Sequence, residues 1–220
     1  MMGAPDRPVP GRPDRAALSR PARLQTLVAV VDQTWLNSIN RAKRIDPAKA
    51  LVRLRAIECG LLDVDIPSNV RALRTNALRH DREIRDACLF SYGMSCRIGQ
   101  TVWVYPREES DFDFVAAWEV PPTRHFAMVQ LKEVVPHKLN PLATLQAVID
   151  RLSKYPVSRD LTVAIKVNRE GPFDPTTITV PQLNIASLWV FGSASADQSK
   201  WFLCGNFLET PEISLFSYPS

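Results

Sequence analysis

The residues whose types and spacing suit chemistry fall in two short stretches. In the first, Asp111 and Asp113 alternate with Phe112 and Phe114 at the head of an apolar run; in the second, Gln130 and Lys132 close another run, seventeen positions after Asp113. Side chains two apart on an extended chain share a face. Asp111 and Asp113 therefore point one way, and Met128, Gln130 and Lys132 share a face of their own strand. Pro121-Pro122-Thr123-Arg124 between the runs reads as a hairpin connection. With the hairpin centred between Pro122 and Thr123, Asp113 faces Lys132 and Val115 faces Gln130. That gathers Asp113, Gln130 and Lys132 into one polar cluster on an otherwise apolar hairpin.

Such a cluster has a chemical and a structural reading. Asp is a hard oxygen ligand for Mg²⁺, and a Gln carbonyl is a weaker, neutral one. A Lys beside them orients or deprotonates a water and offsets charge on a phosphate. Read structurally, Asp113 and Lys132 are a cross-strand ion pair worth under about 1 kcal/mol.

Helices must hold this hairpin in place. Leu24, Leu27, Val28, Val31, Trp35 and Ile39 recur at helical spacing, and Pro21 suits that helix's first turn. Asp46-Pro47 reads as an N-cap followed by a first-turn proline, and Gly60 as the stop of a helix carrying Leu51, Leu54 and Ile57. Ser68 or Asn69 caps a third helix running to about Phe90, with Arg71, Arg74, Arg82 and Arg85 near one stripe. Residues 101–105, 112–120 and 126–135 then read as strands. Asn140-Pro141 reads as the start of a helix with Leu142, Leu145, Val148, Ile149 and Leu152 on its apolar face. A buried strand over 161–167 follows, then strands over 187–191 and 201–207. This order predicts an α/β fold, helices against a mixed sheet, behind an N-terminal helical region.

Composition narrows the classes. With 45 % hydrophobic and 23 % charged residues among 220, wholesale disorder is excluded. No apolar run approaches the roughly 18 residues of a membrane span, and residues 1–20 have four Arg, two Asp and no apolar core of a secretory leader. Cys59, Cys88, Cys96 and Cys204 form no CxxC pair and have no His at zinc spacing, which reads as reduced thiols in the cytoplasm. His80, His125 and His137 are scattered, and no GxSxG elbow is present. Eight Gly leave no phosphate-binding glycine loop, so neither ATP nor a dinucleotide is expected.

The net charge of +4 hides an asymmetry. Residues 1–100 hold 17 Lys+Arg, 15 of them Arg, against 10 Asp+Glu; residues 101–220 hold 10 against 13. Arginine matches phosphate geometry, so the front of the chain reads as the holder of a polyanion; a solvated set of Arg-rich helices has the same composition. Residues 1–21, with five Pro, read as a flexible Pro/Arg-rich arm.

Asp113, then Gln130-Leu131-Lys132 at the end of an apolar strand, then a helix and a buried strand, resembles the restriction-endonuclease-like nucleases. These are known by the PD-(D/E)xK motif, here in the variant with Gln in the acid position. The likeness covers about residues 70–170. It implies a restriction-endonuclease-like mixed sheet flanked by helices over 69–220, with 22–68 as the N-terminal helical region. It also implies catalytic roles for Asp113, Gln130 and Lys132, and Mg²⁺ or Mn²⁺ on Asp113, Gln130 and Asp111. An acid from the preceding helix, Glu83 first and Asp86 second, completes the site; Gln146 matches a functional Gln of some members. No Pro precedes Asp113, and Gln130 removes a charge, so Asp111, Glu119 or Glu83 must supply a second carboxylate.

The implied activity is metal-dependent hydrolysis of phosphodiester bonds in nucleic acid, DNA before RNA. Arg71, Arg74, Arg82, Arg85 and Lys138 would hold the backbone. The implied assembly is a homo-oligomer or a complex with a regulatory partner protein, and a nuclease without a sequence-reading module suggests a defence effector. The alternative is a non-catalytic nucleic-acid-binding or assembly subunit on the same scaffold.

Overall fold

The computed structural model describes residues 37–39, 41–60, 78–107, 109, 111–153 and 158–220. The expected arm, most of the first helix, and Arg71 and Arg74 lie outside the described residues. Helix α1 (Pro47–Gly60) starts as expected: the Asp46 carboxylate accepts the Lys49 N–H at 3.2 Å, and Pro47 occupies the first turn. Helix α2 (Arg79–Ile98) runs past Phe90 and stops at Gly99, whose left-handed backbone (φ 69°) lets its N–H cap the Ser95 carbonyl.

After α2 come β1 (Trp103–Pro106), β2 (Phe114–Val120), β3 (Thr123–Val134), helix α3 (Leu145–Leu152) and β4 (Ser158–Val167). A short 3₁₀ turn (Pro175–Thr177) precedes β5 (Ile185–Ser193), β6 (Lys200–Gly205) and β7 (Glu212–Ser217). The seven strands form one sheet in chain order. Pairs β1–β2 and β2–β3 are antiparallel, β3–β4 and β4–β5 parallel, and β5–β6 and β6–β7 antiparallel. Helix α3 lies in the β3–β4 crossover, as a parallel pair requires. The chain is thus α/β with a mixed sheet.

Three local expectations are corrected. The hairpin turns on Pro121-Pro122 alone, with Val120 opposite Thr123 and Trp118 opposite His125. The stacked Trp118 and His125 rings, 5.3 Å apart, close this shorter turn. Each β2 residue therefore meets a β3 residue two places earlier than expected; a shift of two keeps every side chain on its face but changes its neighbour. Helix α3 begins at Leu145, because Thr144 Oγ1 caps the Ala147 N–H, while the Asn140 carboxamide turns back onto the Leu142 N–H. Leu142 is consequently 86 % exposed instead of facing a core. Strand β7, unforeseen, buries Phe216 against α2; a Cβ at Gly93 would come within 2.8 Å of that ring, so a larger residue at 93 would push the strand away.

Each face of the sheet carries its own core. On one face, Leu51 of α1 and Ala87 and Phe90 of α2 join Phe114, Ala116, Val129, Ala164, Trp189 and Phe191 of the sheet. On the other face, α3 and the stretch from Phe173 to Leu183 cover Val115, Ala117, Val163, Ile165, Leu188 and Val190. Each large side chain removed from water in this way contributes about 1.5–3 kcal/mol. No described helix is long and apolar enough to cross a membrane.

The free thiols divide by burial. Cys88 and Cys204 are buried, while Cys59 and Cys96 are exposed. Burial pushes the Cys88 thiol up to about 12, with the nearby Asp46 carboxylate adding to it. Burial also raises Cys204, to about 11, against the pull of Arg97. Partial burial raises the Cys96 thiol as well, though it remains exposed. Thiolate is the reactive form, so native protein at pH 8 is expected to react with a disulfide reagent at Cys59 first, at Cys96 more slowly, and at neither Cys88 nor Cys204. Cys88 and Cys204 should react after unfolding, as labelled-peptide mass spectrometry would read out.

Candidate functional site

The site grows from the point where β2 leaves β3. The regular ladder ends with Phe114 opposite Val129, so Asp113 is not opposite Lys132. The ladder slips there: the Asp113 N–H donates to the Val129 carbonyl at 2.9 Å, one residue out of register. The Leu131 N–H donates instead to Asp113 Oδ2 at 2.6 Å. The carboxylate thus fills the fork between the two strands and satisfies a backbone donor that would otherwise lack its ladder partner.

A shallow cleft of about 100 Å³ opens beside the fork, bordered by His80 and Glu83 of α2, by Pro106 at the end of β1 and Arg107 after it, and by Asp113 and Leu131. Asp113 and Glu83 therefore share one cleft. Glu83 is also tied to Arg79 at 2.7 Å, an i, i+4 pair on a half-exposed face. Val129 and Leu131 pack under α2, so Gln130 and Lys132, which alternate with them, belong to the face covered by α3. The Gln130 carbonyl oxygen is buried there with no hydrogen-bond partner. Asp113 and Glu83 are thus brought together, whereas Gln130 and Lys132 stand on the opposite face of β3.

The other candidates are distributed as follows. Asp111 is exposed ahead of β2, and Lys138 is exposed in the loop after β3. Arg82 is half-exposed on α2. Arg85 is held by Glu58 at 2.9 Å and by the Gln198 carboxamide at 2.9 Å, its side chain only 11 % exposed. It does not join a free stripe on α2. Glu119 pairs with Arg124 at 3.0 Å near the hairpin tip, away from the fork. Gln146 bonds Asp150 and both the N–H and C=O of Thr179, so it braces the strap beneath α3.

Two pairs were not foreseen. Asp86, behind Glu83 on α2, receives the Lys166 ammonium of β4 at 2.5 Å, and both are buried. Lys166 had a signal: it is the one charge in the apolar run LTVAIKV, and a buried ammonium requires a carboxylate. Glu133 does alternate onto the α2 face as its position requires, but it accepts a hydrogen bond from Asn168 at 2.8 Å instead of facing only water.

Mg²⁺ takes one or two protein carboxylates and fills its other positions with water and phosphate oxygens. Asp113 and Glu83 on one cleft fit that modest demand. A closed protein cage is a different matter: among the described residues no three His, Cys, Asp or Glu converge on a point. No protein-family model, curated protein or solved structure matches this chain. The fold and site define an α/β protein with a seven-stranded mixed sheet and a carboxylate at a strand fork.

Proposed function

We propose that this chain is a metal-dependent nuclease of the restriction-endonuclease-like kind, hydrolysing phosphodiester bonds of nucleic acid, with DNA favoured over RNA. One observation carries the reading. In a helix, three strands, helix, strand core whose last two strands are parallel, Asp113 occupies the fork of the second and third strands and shares a cleft with Glu83. Asp113 and Glu83 would hold Mg²⁺ or Mn²⁺, which when bound lowers the pKa of a water and polarises the scissile phosphate. The resemblance gives Lys132 the role of orienting the attacking water and offsetting the charge on the phosphate, which requires it to reach past the fork from the α3 face of β3. A defence role follows only by analogy with regulated effectors on such scaffolds.

A second reading has its own support. Gln130 carries no charge, Glu83 is engaged by Arg79, and the described acids do not converge in threes. These favour a nuclease-like subunit that binds nucleic acid without cutting it. Cleavage of supercoiled plasmid and single-stranded DNA in Mg²⁺, Mn²⁺ and EDTA separates the two. Metal-dependent cutting that falls about 100-fold or more in Lys132→Ala supports the nuclease. A gel shift with no cutting in either metal supports the binding subunit.

A further inference from the structure

The cations best placed to meet a polyanion are not those of the α2 stripe. The segment ahead of α1 extends the sheet beyond β1: Ile45 N–H donates to the Val104 carbonyl at 2.7 Å, and Val104 N–H returns the bond at 3.0 Å. Lys43 and Arg44 immediately precede this bridge, as Tyr105 and Pro106 follow it on β1. Pro106 and Arg107 border the cleft that Asp113 and Glu83 share. Arg107 also bonds the Ser38 hydroxyl, which fastens the start of this segment to the same rim. The Arg44 guanidinium sits over the Trp103 ring, 4.3 Å from its centroid, in a cation–π contact.

Arg41, Lys43 and Arg44 are all exposed, none has a described carboxylate within salt-bridge distance, and they lie within four residues of one another. Four cations nearby are engaged. Lys49 reaches Asp46 at 3.8 Å, Arg107 pairs with Glu109 at 2.6 Å, Arg79 with Glu83 and Arg85 with Glu58. Three unneutralised charges within four residues repel one another, a cost that an incoming line of phosphates would relieve. Edge cations also serve to discourage strand pairing between molecules, but that purpose requires neither the stacking of Arg44 nor a place beside the cleft.

We propose that Arg41, Lys43 and Arg44 form a phosphate-binding rail along the outer edge of the sheet, which guides a nucleic-acid backbone to the Asp113 cleft. This rests on the nucleic-acid reading above and names the surface that serves it. The rail neutralises backbone phosphates and reads no bases, so binding through it is sequence-independent and strongly salt-dependent.

Fluorescence anisotropy with a labelled duplex and the corresponding single strand, in EDTA so that nothing is cut, tests it on the full chain. The variant is Arg41→Gln/Lys43→Gln/Arg44→Gln. A charge-matched control, Arg151→Gln/Arg159→Gln/Lys200→Gln, removes three exposed cations elsewhere. The rail variant is expected to bind at least about 10-fold more weakly, and its salt slope on duplex to fall by about 2–3, while the control changes little. Wild-type binding that the rail variant retains, or that both variants lose equally, overturns the rail and leaves the nuclease reading standing. If wild type binds neither probe at low salt, the nucleic-acid reading falls and the rail falls with it.

Discussion

Asp86→Ala is expected to lower folding stability by about 3–5 kcal/mol, because it leaves the Lys166 ammonium buried without its counter-charge. Both side chains are about nine-tenths inaccessible, and the pair is 2.5 Å apart, so water cannot take over the missing contact. In urea unfolding the midpoint should fall by about 1–2 M with little change of slope. Lys166→Ala should cost a similar amount, since it orphans the carboxylate instead. The double variant Asp86→Leu/Lys166→Met separates charge from packing: apolar side chains of similar volume should recover most of the loss. A single-variant cost under about 1 kcal/mol would mean that the interior there is wet and the pair is a surface-like contact. The pair pins α2 to β4, and one turn earlier on the same helix stands Glu83. Weakening it should therefore also loosen the cleft.

The sequence made some of this legible and hid the rest for definable reasons. Alternation of apolar and polar residues is a local property, so the strands around Asp113 and Lys132 could be read directly, and the length and branching of 161–167 marked it as a buried strand. Register depends on how tightly a turn closes. Pro121 and Pro122 turn the chain within two residues, and no count along the chain distinguishes that from a four-residue connection. The same limit hid the start of α3. Asn140-Pro141 and Thr144 are both competent caps, and the choice fell to Thr144 because Arg169, which bonds the Val135 and Asn140 carbonyls, pins the intervening loop. The Asp86–Lys166 pair spans eighty positions, beyond what periodicity can connect. Asp113 was visible as a polar residue out of place, but not as the filler of a strand fork, because that role depends on the ladder slip.

That slip makes Asp113 the position where structure and chemistry can be separated by one atom. Asp113→Asn keeps an acceptor oxygen for the Leu131 N–H and removes the charge; Asp113→Ala removes both. The Ala variant orphans a backbone donor and is expected to cost about 1–3 kcal/mol, whereas the Asn variant should stay within about 1 kcal/mol of wild type. If the carboxylate holds a metal, activity should not follow that order. Both variants should lose metal-dependent cleavage, by about 10²–10³-fold, because a neutral carboxamide is a poor ligand for Mg²⁺ and supplies no charge to the site. Melting temperatures of the two variants, measured beside plasmid cleavage under single-turnover conditions, give both quantities. An Asn variant that folds and cuts like wild type would assign Asp113 to the fork alone and move the search for the metal site to other acids. An Asn variant that folds normally and has lost cleavage would assign its charge to the chemistry, since the hydrogen bond that the fork needs is still made.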